Sequence, residues 1–214
     1  MAAGATGHVR PMRAILSRGP VIPIVTIDDA SVAAALARAL VAGGIRVIEI
    51  VLRTPAACAA VGAMRAAEPD ADVGLGTLLS AADVERAVAA GATFGVSPGL
   101  TPEIAAAVNA SALPFLPGVA TPSEAIAARA HGFLEQKLFP AHGTAGIAFL
   151  QALAPVLPDV VFCPTGGIRR EDGAAYRALR NCPVVGGSWV TPAELIRAGD
   201  WDAITALARA ASSS

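Results

Sequence analysis

Eight short apolar segments recur along the chain at nearly regular intervals, and they limit the folds that the chain can adopt. Successive segments begin 19 to 27 residues apart, and Ala-rich stretches with helical periodicity separate them. Strands that are apolar on both faces are typical of a parallel sheet covered by helices, because each crossover places a helix against the sheet. The segments are 21–27, 47–53, 72–79, 94–99, 114–120, 133–140, 160–167 and 183–189.

The number and order of these segments predict the fold class. Eight strand–helix units in a chain of 214 residues fit a single (β/α)8 TIM barrel of the α/β class. An open, doubly wound sheet is the alternative, but no Gly-x-Gly-x-x-Gly pattern follows the first strand. We expect one domain over residues 10–211, with a short extra N-terminal helix within 10–18 that closes the barrel bottom. Residues 1–9 and 212–214 are expected to be disordered tails.

Turn residues at the strand ends agree with this alternation. A Thr-Pro pair follows four of the strands, where Thr can cap the next helix and Pro suits its first turn. A capping box is predicted at Thr121 and Thr191, because Glu follows three residues after each of them. Ser80 with Asp83 predicts a similar cap. The four pairs are Thr54-Pro55, Thr101-Pro102, Thr121-Pro122 and Thr191-Pro192.

Charge and hydropathy exclude several kinds of partner. The formal net charge of -1, without a basic cluster interleaved with aromatic residues, argues against nucleic acid and anionic lipid as partners. Every long apolar stretch is interrupted before the ~18–20 residues that a membrane span needs. The first nine residues do not have the pattern of a secretion signal. We therefore expect no nucleic-acid and no membrane partner.

Cysteine and histidine usage indicates a reducing compartment and no metal site. Cys58, Cys163 and Cys182 have no Cys-x-x-Cys spacing, and Cys163 is expected to be a small core residue. The histidines form no His-x-x-x-His motif and no cluster with carboxylates. The prediction is a cytoplasmic protein that uses neither a metal nor another cofactor.

Lys137 is the only lysine in the chain, since the other fifteen of the 16 Lys and Arg residues are arginines. It lies in the apolar segment 133–140, where an ammonium group must find a partner or lose its proton. A lysine amine with a lowered pKa is a nucleophile toward carbonyl carbons, which is the chemistry of Schiff-base enzymes. Codon bias can explain why other lysines are absent, but not why this one lies in a strand. Lys137 is therefore a candidate catalytic residue.

Glu49 and Arg53 lie on one face of the second strand, because side chains alternate along a strand. The opposite face is apolar and should meet the helices, so both charged side chains are expected inside the barrel, with Arg53 nearer the mouth. Glu49 can then meet Lys137 and move protons during imine chemistry. Arg53 offers a planar pair of donors to a substrate carboxylate. A structural ion pair between Glu49 and Arg53 is the alternative.

Three further strand ends carry polar or glycine-rich turns. Thr77 follows Gly76 at the end of the third strand and offers a hydroxyl either to a ligand or to nearby backbone. Glycine-rich turns after the last two strands of a (β/α)8 barrel commonly bind phosphate, because exposed N–H groups at turns and helix starts bind anions. Tight turns without a ligand are the alternative. The two turns are Thr165-Gly166-Gly167 and Gly186-Gly187-Ser188.

These residues belong to longer motifs whose order and spacing resemble one enzyme family. The motifs are Glu49-Ile-Val-Leu-Arg53-Thr54, Gly76-Thr77, Ser97-Pro98-Gly99-Leu100-Thr101, Lys137-Leu-Phe139-Pro140, Phe162-Cys-Pro-Thr165-Gly166-Gly167-Ile168 and Gly186-Gly187-Ser188-Trp189. Over 13–211 the chain resembles the class I 2-keto-3-deoxy-6-phosphogluconate aldolases, which also act on 4-hydroxy-2-oxoglutarate. The family resemblance implies a cytoplasmic, homotrimeric (β/α)8 barrel of the Entner–Doudoroff pathway.

The resemblance also implies an activity and a set of site residues. The expected activity is reversible cleavage of the phosphorylated keto acid into pyruvate and glyceraldehyde 3-phosphate. The implied catalytic residues are Lys137, which forms the Schiff base, and Glu49, which transfers protons. The other implied residues are Arg53 and Thr77 for the pyruvate carboxylate, Thr165 for stereochemical choice, Gly166, Gly167, Gly187 and Ser188 for phosphate, and Pro98 and Phe139 in the substrate pocket.

Two segments depart from the family pattern, and other functions compete with aldol cleavage. After the third strand, Gly-Thr-Leu-Leu-Ser at 76–80 replaces a Val/Asn version. The loop 141–146 lacks the Glu/Asn/Gly-rich sequence of the family, and His142 within it is expected to be solvated. The motifs Phe-Cys-Pro-Thr-Gly-Gly and Gly-Gly-Ser-Trp favour a phosphogluconate over a related phosphogalactonate aldolase. A barrel that binds a phosphorylated ligand, an isomerase or a synthase without lysine chemistry is a second hypothesis, and a metal-dependent aldolase is a third.

Overall fold

Strands occur in all eight of the predicted segments. The computed structural model describes residues 10–143 and 146–213, so the predicted tail 1–9 lies outside the described residues. The fifth segment contains two strands, which Pro117 separates. The strands are β1 Val21–Val25, β2 Val47–Val51, β3 Asp72–Gly76, β4 Phe94–Val96, β5 Phe115–Leu116, β6 Gly118–Val119, β7 Glu135–Leu138, β8 Val161–Phe162 and β9 Val185–Gly187.

Helices follow the strands as the alternation predicts. They are α1 Met12–Leu16, α2 Ala33–Ala42, α3 Ala57–Ala67, α4 Ala81–Ala89, α5 Pro102–Ser111, α6 Pro122–Ala130, α7 Ile147–Leu153, α8 Gly173–Arg177, α9 Ala193–Ala198 and α10 Trp201–Ser212. Short 3-10 turns occupy Ala30–Val32, Ala141–Gly143 and Arg170–Asp172. Since α10 includes Ser212, the predicted C-terminal tail begins one residue too early. No helix of the described ranges is long and apolar enough to cross a membrane.

All strand pairs are parallel. Six strands form one sheet in the order β5-β4-β3-β2-β1-β9, and β6-β7-β8 form a second sheet. The first strand therefore pairs with both β2 and the last strand, β9. This arrangement is an α/β fold whose parallel strands form a curled, half-barrel sheet, so the predicted parallel architecture is confirmed at that level.

Apolar side chains form two clusters, one on each face of the strands. The larger cluster packs the outer face against the helices and includes Ile48 and Ile50 of β2. The smaller cluster lies on the inner face and includes Val47 of the same strand, so the odd-numbered side chains of β2 point inward as the alternation predicts. Its members are Met12, Ile15, Leu16, Ile22, Val47, Phe94, Val96, Leu116, Cys163 and Val184.

The short helix α1 supplies three members of the inner cluster, at the end where the strands begin. Nearby, the carboxylate of Asp72 at the start of β3 is buried and forms ion pairs with Arg10, at 3.2 Å, and with Arg18. Two guanidinium groups thus flank α1 and offset the cost of burying this carboxylate. Apolar contacts of α1 and ion pairs of the residues on either side of it therefore hold this segment against the strands.

Helix caps agree with the predictions at three sites and contradict them at two. Thr101 accepts a hydrogen bond from the Ile104 N–H, Ser80 accepts one from Asp83, and Thr121 forms the predicted capping box with Glu124. The predicted caps at Thr54 and Thr191 are wrong, because α3 and α9 begin later and have no side-chain cap. The Thr54 hydroxyl instead donates to the Ile27 carbonyl and ties the end of β2 to the end of β1.

Candidate active site

A cavity of about 540 Å³ opens at the carboxyl ends of the strands. This is the end of a parallel α/β fold where strand-to-loop junctions usually form binding sites. All the predicted site residues line it except Glu49, which lies beneath it. The lining residues are Ile24, Thr26, Val51, Arg53, Thr77, Pro98, Lys137, Phe139, Thr165, Gly166, Gly167, Ile168, Gly186, Gly187 and Ser188.

Lys137 and Glu49 form a buried ion pair at the floor of this cavity. The Lys137 Nζ lies 3.2 Å from the Glu49 Oε1, and the two residues are 6% and 2% exposed. They come from β7 and β2, which are 88 residues apart in sequence at these positions. The contact gives the buried ammonium the partner that it needs, and it places a carboxylate within proton-transfer distance of the amine.

Gly76 makes room for this carboxylate. A Cβ on Gly76, the last residue of β3, would overlap the Glu49 Oε1. Because Glu49 lies opposite Gly74 in the pairing of β2 with β3, its side chain reaches along β3 to bring the carboxylate beside Gly76. Gly76 therefore has a packing role that the sequence motif did not reveal, which is to leave space for the Glu49 side chain.

Thr77 adopts a strained backbone conformation at the cavity wall. Its φ is 64°, a left-handed value that a β-branched residue rarely adopts and that costs on the order of 1–3 kcal/mol. The next residue, Leu78, is buried and its N–H donates to the Val96 carbonyl at 3.1 Å, which holds the turn in place. Such strain persists where surrounding structure enforces it, commonly at functional sites.

Arg53 lies at the rim and does not pair with Glu49. Its backbone N–H donates to the Val51 carbonyl at 2.8 Å, so the chain turns directly after β2. Arg53 is exposed, and none of the ion pairs in the described ranges includes it. The structural ion pair between Glu49 and Arg53 is therefore not formed, and the Arg53 guanidinium faces the cavity without a protein carboxylate.

Phe139 and Pro98 form the apolar walls beside the lysine. The Lys137 Nζ lies 5.3 Å from the centroid of the Phe139 ring, within range of a cation–π contact. The turn at Pro98 is held by the buried Ser97 hydroxyl, which donates to the Gly99 carbonyl at 2.6 Å. Phe139 and Pro98 therefore give the cavity an apolar surface close to the lysine amine.

The two glycine-rich turns lie next to each other at the cavity, where the Gly186 N–H donates to the Pro164 carbonyl at 2.9 Å. Gly166 and Gly167 have φ of 91° and 78°, which favours glycine at both positions. A Cβ on Gly167 would also lie 2.5 Å from the Cβ of His142. On β9, a Cβ on Gly187 would overlap the Trp189 indole ring, and the following residue, Ser188, is exposed. His142 is exposed, as predicted for a solvated loop residue.

Thr165 lines the cavity at the start of the first glycine-rich turn. It is 5% exposed, and a Cβ on Gly186 would overlap its Oγ1. Cys163, two residues earlier on the same face, is buried in the inner cluster, as predicted. Burial raises the pKa of the Cys163 thiol to about 12, and the nearby Lys137 charge offsets only part of this rise. The thiol is therefore protonated at neutral pH and packs as a small apolar side chain.

Four lining residues were not predicted to belong to the site. They are Ile24, Thr26, Val51 and Ile168. Three of them have aliphatic side chains that carry no chemistry, so the sequence gave no reason to select them. Thr26 has a hydroxyl, and strand alternation together with its position just after β1 would have identified it. No cluster of three or more His, Cys, Asp or Glu residues that could hold a metal ion occurs within the residues described.

Comparisons with known proteins agree with this geometry. A family model described as KDPG and KHG aldolase matches residues 12–207. The KHG/KDPG aldolase of Escherichia coli (strain K12) is 43% identical over 197 residues, covering 92% of each chain. A KDPG aldolase from Legionella pneumophila, with pyruvate captured as a covalent carbinolamine intermediate, matches with a TM-score of 0.92 at 41% identity, covering 95% of this chain and 98% of that chain.

A second solved structure is similar over a comparable length. The 2-keto-3-deoxy-6-phosphogluconate aldolase of Zymomonas mobilis ZM4, in complex with 3-phosphoglycerate, has a TM-score of 0.89 at 40% identity. The match covers 95% of this chain and 96% of that chain. With the family model spanning most of its length and a relative 43% identical, the chain belongs to the KDPG and KHG aldolase family.

Proposed function

We propose that this protein is a class I aldolase that reversibly cleaves 2-keto-3-deoxy-6-phosphogluconate (KDPG) into pyruvate and D-glyceraldehyde 3-phosphate. The observation that carries this proposal is the buried pair of Lys137 and Glu49, 3.2 Å apart, at the floor of the cavity. A lysine amine beside a proton-transferring carboxylate is the arrangement that Schiff-base chemistry requires.

The reaction begins with formation of the Schiff base. Glu49 accepts a proton from the Lys137 ammonium, and the neutral amine attacks the C2 keto carbon to form the C–N bond. A second nitrogen proton passes to the C2 oxygen, which gives a carbinolamine. Glu49 then returns its proton to the C2 hydroxyl, which leaves as water, and an iminium remains.

The carbon–carbon bond is broken next. Glu49 removes the proton of the C4 hydroxyl, the C3–C4 bond breaks, and its electron pair moves into the iminium to form an enamine. The C4 fragment leaves as glyceraldehyde 3-phosphate. Glu49 returns the proton to C3. Water then adds to the resulting iminium, its oxygen becomes the keto oxygen of pyruvate, and its two protons pass to the nitrogen, which restores the Lys137 ammonium.

The two ends of the substrate bind at opposite sides of the cavity. Arg53 and Thr77 bind the C1 carboxylate, since the guanidinium faces the cavity without a protein counter-ion and the Thr77 hydroxyl lies on the adjacent loop. Gly166, Gly167, Gly187 and Ser188 bind the phosphate. Thr165, between these turns and the ion pair, contacts the reacting C4 region and influences stereochemistry there.

The same site accommodates a smaller substrate. In 4-hydroxy-2-oxoglutarate the pyruvate portion is identical, so Lys137, Glu49, Arg53 and Thr77 serve both substrates, and cleavage gives pyruvate and glyoxylate. The phosphate-binding turns have no phosphate to bind in that case. The relative ability to use the two substrates therefore depends on the phosphate side of the cavity.

We further propose that the two sheets close into a complete (β/α)8 barrel. Support comes from hydrogen bonds between β8 and the β9 region, where the Gly186 N–H donates to Pro164 at 2.9 Å and the Phe162 N–H donates to Asn181 at 2.7 Å. On the other side, β5 and β6 are separated only by Pro117, so they form one interrupted strand. The family resemblance further implies a homotrimer in the cytoplasm, and light scattering of the purified protein tests the trimer.

Borohydride trapping tests the proposed function directly. Reduction in the presence of pyruvate, followed by peptide mass mapping, should place one pyruvate-derived adduct on Lys137 and none when pyruvate is omitted. A folded protein that forms no adduct would favour the hypothesis of a phosphate-binding barrel without lysine chemistry.

Thr77→Gly should separate stability from activity. Glycine relieves the left-handed strain, which should raise the free energy of unfolding by on the order of 1–3 kcal/mol. It also makes the unfolded chain more flexible, which should lower that free energy by about 0.5–1 kcal/mol. The free energy of unfolding should therefore be unchanged or higher. Loss of a hydrogen bond to a carboxylate, about 1.5–3 kcal/mol, should lower kcat/KM for KDPG by roughly 10- to 150-fold. Thr77→Ser is the matched control, and a marked loss of stability in Thr77→Gly would argue against stored strain.

Ser188→Ala should raise the KM for KDPG by about 10-fold or more, because the hydroxyl contributes a hydrogen bond to a charged phosphate. The KM for 4-hydroxy-2-oxoglutarate should change much less, since that substrate has no phosphate. Steady-state kinetics with both substrates measure the difference. Equal changes in the two KM values would contradict the assignment of Ser188 to the phosphate site.

A further inference from the structure

One side chain at the cavity has a hydrogen-bonding group but no role in the proposed function. The lining side chains that can form hydrogen bonds are Thr26, Arg53, Thr77, Lys137, Thr165 and Ser188. In the proposed function, each of these side chains except Thr26 contacts one substrate group: the carboxylate, the keto carbon, the C4 region or the phosphate. The substrate also has one polar group that lacks a partner, which is the hydroxyl on C5.

Thr26 directly follows β1 and lines the cavity. Ile24, two residues earlier, contacts the inner apolar cluster and pairs with Glu49 in register, so it lies at the level of the catalytic pair. Alternation places Thr26 on the same face, about 7 Å nearer the mouth. Thr26 is exposed, and its hydroxyl forms no hydrogen bond with the rest of the described chain.

The order of the strands puts Thr26 between the two ends of the substrate site. β1 lies between β2 and β9 in the sheet. Arg53, at the carboxylate end, follows β2, and Ser188, at the phosphate end, follows β9. A substrate that reaches from one end to the other passes the residue that follows β1.

The depth of each substrate hydroxyl in the cavity indicates which of them lies close to Thr26. The C4 hydroxyl gives its proton to Glu49 and must lie deep, near the 2% exposed carboxylate. C5 is one carbon closer to the phosphate and therefore closer to the mouth, at the level where Thr26 is exposed. We propose that Thr26 is a specificity-determining residue whose hydroxyl forms a hydrogen bond with the C5 hydroxyl, the secondary alcohol of the released aldehyde.

This inference rests on the proposed function, because it needs the substrate to be oriented by Lys137, Arg53 and the phosphate turns. A threonine could also occupy this position only because β-branched residues suit strands. Valine has the same shape and the same preference but no hydroxyl. Thr26→Val therefore removes the hydrogen bond alone, and Thr26→Ser keeps the hydroxyl while it removes a methyl group.

The experiment measures addition of pyruvate to three aldehydes by the wild type, Thr26→Val and Thr26→Ser. D-glyceraldehyde 3-phosphate has both the hydroxyl and the phosphate, 3-oxopropyl phosphate has the phosphate alone, and glyoxylate has neither. A neutral hydrogen bond of about 0.5–1.5 kcal/mol predicts that Thr26→Val lowers kcat/KM for glyceraldehyde 3-phosphate about 3- to 10-fold relative to 3-oxopropyl phosphate. Thr26→Ser should retain most of the wild-type ratio.

Two further readouts distinguish the possible outcomes. Preference for the D over the L enantiomer of glyceraldehyde 3-phosphate should fall in Thr26→Val. In contrast, Ser188→Ala should lower kcat/KM for both phosphorylated aldehydes by the same factor relative to glyoxylate. Equal losses for all three aldehydes in Thr26→Val, or no loss, would overturn the role of Thr26. A wild-type protein that forms no product with any aldehyde and no borohydride adduct would overturn the proposed function, and this inference with it.

Discussion

Lys137→Ala is expected to abolish cleavage of both KDPG and 4-hydroxy-2-oxoglutarate. The amine is the nucleophile that forms the C–N bond, and no other lysine exists in the chain to replace it. The loss should appear in kcat, measured as pyruvate release, and no reduced adduct should form with borohydride. Lys137→Arg should be equally inactive, because it keeps the positive charge but its guanidinium does not lose a proton at neutral pH.

Stability must be followed in the same variants, since Lys137→Ala leaves the Glu49 carboxylate buried without its partner. Removal of one member of a buried ion pair costs about 3–5 kcal/mol, so thermal unfolding should occur at a lower temperature. The double variant Lys137→Met with Glu49→Gln removes both charges and should recover part of that stability while remaining inactive. Appreciable turnover by any folded variant without Lys137 would exclude the Schiff-base mechanism.

Glu49→Gln is expected to leave the protein folded and to slow catalysis by ~10²–10⁴-fold, the usual contribution of a general acid–base group. Glutamine has the same size as glutamate, so it fits the space that Gly76 leaves free, but it cannot accept the proton of the C4 hydroxyl. The effect should be largest on kcat. Exchange of the pyruvate methyl protons with deuterated water, followed by NMR, measures proton transfer at C3 separately from aldehyde binding.

Glu49→Asp is the matched control for this variant. It retains a carboxylate but withdraws it by one methylene group from Lys137, beyond the 3.2 Å contact of the two side chains. Activity between that of the wild type and Glu49→Gln should result, because the acid–base group is present but poorly placed. A near-normal kcat in Glu49→Gln would show that Glu49 is only a structural counter-ion of the lysine and not an acid–base group.

Much of the fold could be predicted because its main signals are local. Eight apolar segments, each followed by helical periodicity, were enough to place every strand and to predict parallel pairing. Side-chain alternation correctly assigned Glu49 to the inner face, because the period of a strand does not depend on its neighbours. The helix caps at Thr101 and Thr121 were also predictable, since each involves contacts within a few residues.

The same local rules failed at two predicted helix caps and at one glycine. The Thr54 hydroxyl does not cap α3, because it meets the Ile27 carbonyl at the end of β1 instead. Thr191 is buried, and α9 begins after it without a side-chain cap. The space that Gly76 leaves for Glu49 could not be read from its motif either, because the clash involves a neighbouring strand.

The amino-acid sequence by itself determined which residue types could carry the chemistry, namely one lysine, a carboxylate on an inward face and glycine-rich turns at two strand ends. Only the tertiary structure decided that Glu49 pairs with Lys137 and not with Arg53, that Thr77 is held in a left-handed conformation, and that Gly76 leaves the space that the Glu49 side chain occupies. The physical reason is that periodicity and capping act over a few residues, whereas these contacts join strands that are far apart in sequence and form only when the sheet curls.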